Sequence, residues 1–107
     1  MEFKSDFFKK NISQIKILDS KEIILCLEDG GEPSYQLIYR LAKGIYWNNK
    51  EGGFESRDAH KAPYDWWISH ILKVLKEEFN IELLITSNTE WVNIPEAIIR
   101  RFPPSRE

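Results

Sequence analysis

A single cysteine, Cys26, stands in the 107 residues, which excludes an intrachain disulfide and any zinc site built on cysteines. It lies in the apolar run IILCL, the setting of a small buried thiol. A reactive thiol needs solvent access and neighbouring positive charge. No apolar run approaches the roughly 20 residues of a membrane span, and the opening MEFKSDFFKK lacks the apolar stretch of a secretory signal. The expectation is a cytoplasmic protein without membrane contact. Positive charge is not in excess either. Fifteen Lys and Arg face 17 Asp and Glu, giving a net charge of −2 and a pI near 5.7. A dedicated nucleic-acid binder needs clustered positive charge to displace counterions from phosphates, so that function is disfavoured.

Catalytic signatures are missing too. No serine sits in a Gly-x-Ser-x-Gly elbow, and Gly30-Gly31 and Gly52-Gly53 lack the spacing of a phosphate-binding loop, so both pairs read as turns. Asp58, His60, Asp65 and His70 come nearest to a metal or acid–base group, but they match no strong zinc spacing. His60 falls in a loop and His70 on the polar flank of a helix, where a solvated histidine is ordinary. A non-enzymatic protein without cofactor or metal is therefore expected. A small metal-dependent hydrolase is the weakest alternative.

What is there is ordinary globular material, 42% hydrophobic and 30% charged, sized for one domain over residues 1–107 with a modest core. Residues 12–18 (ISQIKIL) are rich in β-branched side chains and read as a strand. Residues 23–28 (IILCLE) form a near-continuous apolar strand, the pattern of a central one covered on both faces. After the Asp29-Gly30 turn signal, residues 35–42 (YQLIYRLA) alternate, with Tyr35, Leu37, Tyr39 and Leu41 on one side; that predicts a half-buried strand. A further strand over 45–47, the turn NNKEGG and a short return arm over 54–56 continue an antiparallel meander.

Pro63 then opens a helix, with Asp65 near its positive end. Tyr64, Trp67, Ile68, Ile71, Leu72, Val74, Leu75 and Phe79 share one broad apolar face, and Asn80 suits a left-handed cap. A short strand over 81–86 follows, then a loop over 87–89 and Trp91 as a core plug. Asn93 and Glu96 have capping-box spacing, which predicts a terminal helix over 94–102 anchored by Ile98 and Phe102. At the other end, Ser5 can cap a helical turn over 5–10, and both termini, 1–10 and 103–107, are expected to fray. The fold class is α+β: a four- to five-stranded, mainly antiparallel sheet with one long amphipathic helix packed on one face and a short C-terminal helix.

The stretch from 44 to 67 concentrates aromatic side chains between these halves, and one of them breaks the pattern. On the helix Trp66 points about 180° from the apolar face, among Ser69, His70, Lys73 and Glu77. Tryptophan left wet is costly, and such residues are enriched as interface anchors. The bland alternative is that Trp91 or Phe102 folds over it as part of the core. Tyr46, Trp47, Lys50, Glu51, Phe54, Arg57, Asp58, His60, Trp66 and His70 are the candidate partner-binding residues. The partner expected is a protein, such as a toxin or other effector. At the level of class only, small, mildly acidic, aromatic-rich domains without catalytic motifs resemble bacterial immunity and inhibitor proteins. Single-stranded nucleic acid is the alternative, through stacking on Tyr46, Trp47, Phe54 and Trp66 beside Lys50, Arg57, Lys61 and Lys73. Its weakness is that Glu51, Glu55, Asp58 and Asp65 offset most of that charge. A homodimer through the aromatic patch or a sheet edge stays open.

Overall fold

The computed structural model describes residues 8–40, 42, 44–57 and 61–104. Five strands form one mixed, mostly antiparallel sheet: β1 (Phe8–Ile17), β2 (Ile23–Leu27), β3 (Ile45–Asn48), β4 (Gly53–Ser56) and β5 (Ile81–Val92), in the order β3-β4-β2-β1-β5. The long helix α1 (Tyr64–Phe79) packs against β5 and β2, and a one-turn helix α2 (Glu96–Ile99) follows β5. The α+β class and its single long helix are as the residue patterns predict.

The meander is not. β2 pairs with β4 rather than β3, so the β3–β4 hairpin is inserted with its second strand inward. The reason lies in the segment between. Where a strand over 35–42 is expected, the chain forms a 3-10 helix, Pro33–Arg40. Its buried residues are Tyr35 and Ile38, and Ala42 just past its end is buried too; the spacing of three and four is helical rather than alternating. Pro33 fits at the helix start, and Ala42 donates its backbone N–H to the Ile38 carbonyl at 2.9 Å. The helix lays Tyr35 edge-on against Trp47 (ring centroids 5.2 Å apart) and tilted against Phe54. Leu41 lies outside the described residues.

The ends of the chain also differ from expectation. Phe8, Lys9 and Lys10 are extended and continue β1, with the Phe8 N–H donating to the Asn80 carbonyl at 2.8 Å; Ser5 and its turn lie outside the described residues. β5 runs parallel to β1 and is twice the predicted length. Between Ile85 and Glu90 its register slips against Ile12 and Gln14, so the expected 87–89 loop is a bulge and not an end. Thr89 closes it. Its buried hydroxyl accepts from the Thr86 N–H at 2.9 Å and donates to the Ile12 carbonyl at 2.7 Å. Trp91 consequently sits within the strand opposite Ile15, half-buried against the core. The predicted capping box is absent: Asn93 has φ +60, its amide reaches the Ile17 carbonyl, and Pro95 caps α2 without a side-chain bond. Ile98 and Phe102 do pack against the core. Residues 105–107 lie outside the described residues.

α1 follows its wheel. Trp67, Ile68, Ile71 and Leu75 are buried, Tyr64, Leu72, Val74 and Phe79 half-buried, and Asn80 ends the helix at φ 56. They meet Ile15, Ile23, Leu25, Ile45, Trp47 and Phe54 on one sheet face. Cys26 is buried and unpaired, and burial pushes its thiol pKa up.

Lys10 ties β1 to the turn after β2. Its ammonium donates to Asp29 at 2.6 Å and lies 3.7 Å from Glu32. The hydrogen bond from Lys10 holds the half-exposed Asp29 carboxyl below its ordinary pKa and raises that of Lys10. Because the folded value of Asp29 is depressed, its contribution to stability is complete above its unfolded pKa of about 3.9 and is lost as pH falls through the folded value. Asp29→Asn should therefore be less stable than the parent at pH 7, and urea titrations should show the gap closing as pH drops below about 4.

Gly30 and Gly31 both have φ near +80, but only Gly31 is crowded, since a Cβ there would lie 2.4 Å from the Trp47 ring. That ring is wedged between Tyr35 and Phe54 and cannot move aside cheaply. Gly30→Ala should cost about 1–2 kcal/mol, for the left-handed backbone alone. Gly31→Ala should cost about 2–5 kcal/mol, because overpacking adds to the same strain; chemical denaturation of both variants checks the difference.

Candidate functional site

The ten candidate residues do not form one patch. Trp47 and Phe54 belong to the core, at 9% and 0% exposure, so neither ring offers a surface to a partner. Strand alternation is the cause: Ile45 and Trp47 face α1 and the 3-10 helix, which leaves Tyr46 on the opposite face. Lys50 is exposed in the β3–β4 turn, where the Asn48 side-chain oxygen accepts from the Glu51 N–H at 2.9 Å. Glu51 itself pairs with Lys16 at 3.1 Å. Asp58 and His60 lie outside the described residues. Among the described residues no group of three or more His, Cys, Asp or Glu is placed to hold a metal.

Two clusters remain, and contacts link them. The first lies on edge strand β3. Tyr46 stacks on Tyr39 with ring centroids 5.6 Å apart and planes within 7°. The Arg57 guanidinium lies 4.1 Å from the Tyr46 centroid, within cation–π range. Arg57 also donates to Glu55 at 2.8 Å, and Asn48 donates to the other Glu55 oxygen at 3.0 Å. Glu55 is 7% exposed, and these two donors satisfy a carboxylate that would be costly to bury alone. Tyr39 was not foreseen, because a strand over 35–42 sets it beside Tyr35. On the 3-10 helix Tyr35 turns inward and Tyr39 stays 43% exposed.

The second cluster is the start of α1. Trp66 is 47% exposed, and no part of the described C-terminal segment buries it. It lies flat against His70 (4.5 Å, 13°) and edge-on to Trp67 (5.1 Å). Asp65 fixes this turn by accepting from the Trp66 N–H at 2.9 Å and pairing with Arg101 at 2.9 Å. The two clusters meet at Gly44. A Cβ there would be 3.0 Å from the Trp67 ring, and the Gly44 carbonyl accepts from the Arg57 N–H at 3.0 Å. Trp66, Trp67, Gly44, Arg57, Tyr46 and Tyr39 thus form an unbroken line of neighbours from helix to sheet edge.

No family model matches the chain, and a search of curated proteins finds no match. A solved structure similar to it is an integron cassette protein from the mobile metagenome of the North West Arm sewage outfall. That protein is 25% identical, over 86% of this chain and 89% of its own, with a TM-score of 0.40. So loose a likeness bears on no functional question. No helix among the described residues is long and apolar enough to cross a membrane.

The two adjacent tryptophans on α1 separate stability from surface. Trp67→Ala should cost about 3–5 kcal/mol, the usual loss for a large buried ring. Trp66→Ala forfeits only aromatic edge and stacking contacts, about 1 kcal/mol. Urea denaturation of both variants measures the two costs directly.

Proposed function

We propose that the protein is a non-enzymatic protein-binding module of the immunity or inhibitor kind, acting in the cytoplasm, with Trp66 as its anchor. The observation that carries this reading is the 47% exposure of Trp66 on a helix whose other large apolar side chains are buried or half-buried. Stacking on His70 and edge contact with Trp67 hold the ring in one orientation before any partner arrives. Little side-chain entropy is then left to lose on binding, which is the property of an efficient hot spot. The Tyr39–Tyr46–Arg57 group, set on the other side of buried Trp67, offers a second group of amphipathic rings, of the type enriched at interface cores.

The stacked Tyr39–Tyr46 pair beneath Arg57 is the observation that favours single-stranded nucleic acid instead. Two facts weigh against it. Glu55 already neutralises Arg57, and the chain carries a net charge of −2.

The test is binding to the product of the neighbouring coding sequence. Trp66→Ala should weaken that complex by about 30-fold or more, the measure of a hot spot, with circular dichroism unchanged. Equal affinity of parent and variant would reject the reading. Quenching of tryptophan fluorescence by oligonucleotides at low salt, fading steeply as salt is added, would replace it with the nucleic-acid reading.

A further inference from the structure

Phe8 and Leu37, at 65% and 53% exposure, are two of the four large apolar side chains exposed among the described residues. Neither belongs to the Trp66 surface. Both line a cleft of about 580 Å³ between the 3-10 helix, the end of α1 and the first residues of β1 and β5. Tyr35, Ile38, Phe79 and Ile81 supply the remaining apolar wall. The volume lies in the range of small-molecule sites, which are concave, mainly apolar and carry few polar groups.

The polar groups here differ in state. Glu32 already has Lys10 at 3.7 Å. Arg40 lines the cleft and is exposed, and its guanidinium makes no hydrogen bond or ion pair with a described residue. A delocalised, always-charged guanidinium at an apolar wall matches a planar carboxylate, which it can bind through two parallel hydrogen bonds.

We infer that this cleft binds a small amphipathic monocarboxylic acid, with its aromatic or aliphatic body against Phe8, Leu37 and Phe79 and its carboxylate on Arg40. A neutral ligand would leave the guanidinium unused, and a polar one would leave the exposed phenylalanine and leucine wet. The fold supports a site of this kind. The cleft wall that carries Arg40 and Leu37 is the same helix whose inner face is clamped through Tyr35 onto Trp47 and Phe54. The wall is therefore set before ligand arrives.

Phenylbutyrate and its isosteric amide test the inference, with binding followed by calorimetry and by amide NMR shifts on the full chain. The acid should bind about tenfold more tightly than the amide, the step expected of a charge-assisted hydrogen bond, with shifts confined to residues 34–40 and 79–81. Arg40→Met should erase that preference by weakening the acid alone. Leu37→Glu should abolish binding of both; each change is at an exposed position and leaves the fold intact. Equal affinities for acid and amide, shifts elsewhere, or no saturable binding would overturn it. So would a concentration-dependent dimer whose contacts map to the same amides, since a second copy would then be the occupant.

Discussion

Every side chain of β2 is buried, from Ile23 to Leu27, and a strand in that state needs a neighbour on each edge and a cover on each face. The edges are met by β1 and β4. One face is covered conventionally, since Ile23, Leu25 and Leu27 join the core shared with α1 and the 3-10 helix. The other face carries Ile24 and Cys26, and its cover is polar. Tyr46, Glu55, Ile24 and Lys16 stand in register across four strands there. The Lys16–Glu51 ion pair and the Asn48–Glu55–Arg57 group lie on this side. Long charged side chains cover apolar surface with their stems while keeping their heads in water, and that is how Ile24 reaches zero exposure without a second helix.

This arrangement decides where recognition can occur. With β4 required beside β2, β3 is left at the edge of the sheet, and the alternation of Tyr46 and Trp47 becomes a division of labour. Trp47 locks the 3-10 helix down, which is why Gly31 has no room for a side chain. Tyr46 joins the polar cover, and with it Arg57 and Tyr39. Ser56, the last residue of β4, is fully buried. Its hydroxyl accepts from the Ile23 N–H at 3.2 Å and donates to Glu22 at 3.1 Å. The chain thereby leaves the sheet at a fixed point, with Arg57 tied to Gly44, so that the start of α1 comes down beside β3. The aromatic line to Trp66 is a consequence of that return.

Some of this was legible in the residues and some was not, for physical reasons. Trp66 could be placed on the wet side of α1 because a helix face is set by spacing within 16 residues. The 48–53 turn was readable from Asn48 and Gly52, whose side chain and backbone close it locally. The segment over 33–42 was ambiguous, since Tyr35, Leu37 and Tyr39 fit alternation as well as Tyr35, Ile38 and Ala42 fit a helix. Contact with Trp47 and Phe54 chose between them. The extension of β5 past its bulge was hidden for a similar reason, because Thr89 closes the bulge on a carbonyl 77 positions away.

Local spacing by itself determined the α+β class, the apolar face of α1, the buried character of β2 and the thiol of Cys26, and the place of Trp66 on the polar side of α1. Each depends on neighbours a few residues apart. That nothing among the described residues folds over Trp66 was decided by the tertiary structure. Only the tertiary structure decided the strand order, the burial of Trp47 and Phe54, the union of Tyr39, Tyr46 and Arg57, and the apolar cleft carrying Arg40. Each of these depends on which distant segments share a strand edge, and pairing energy between strands carries no signature in the spacing of either one.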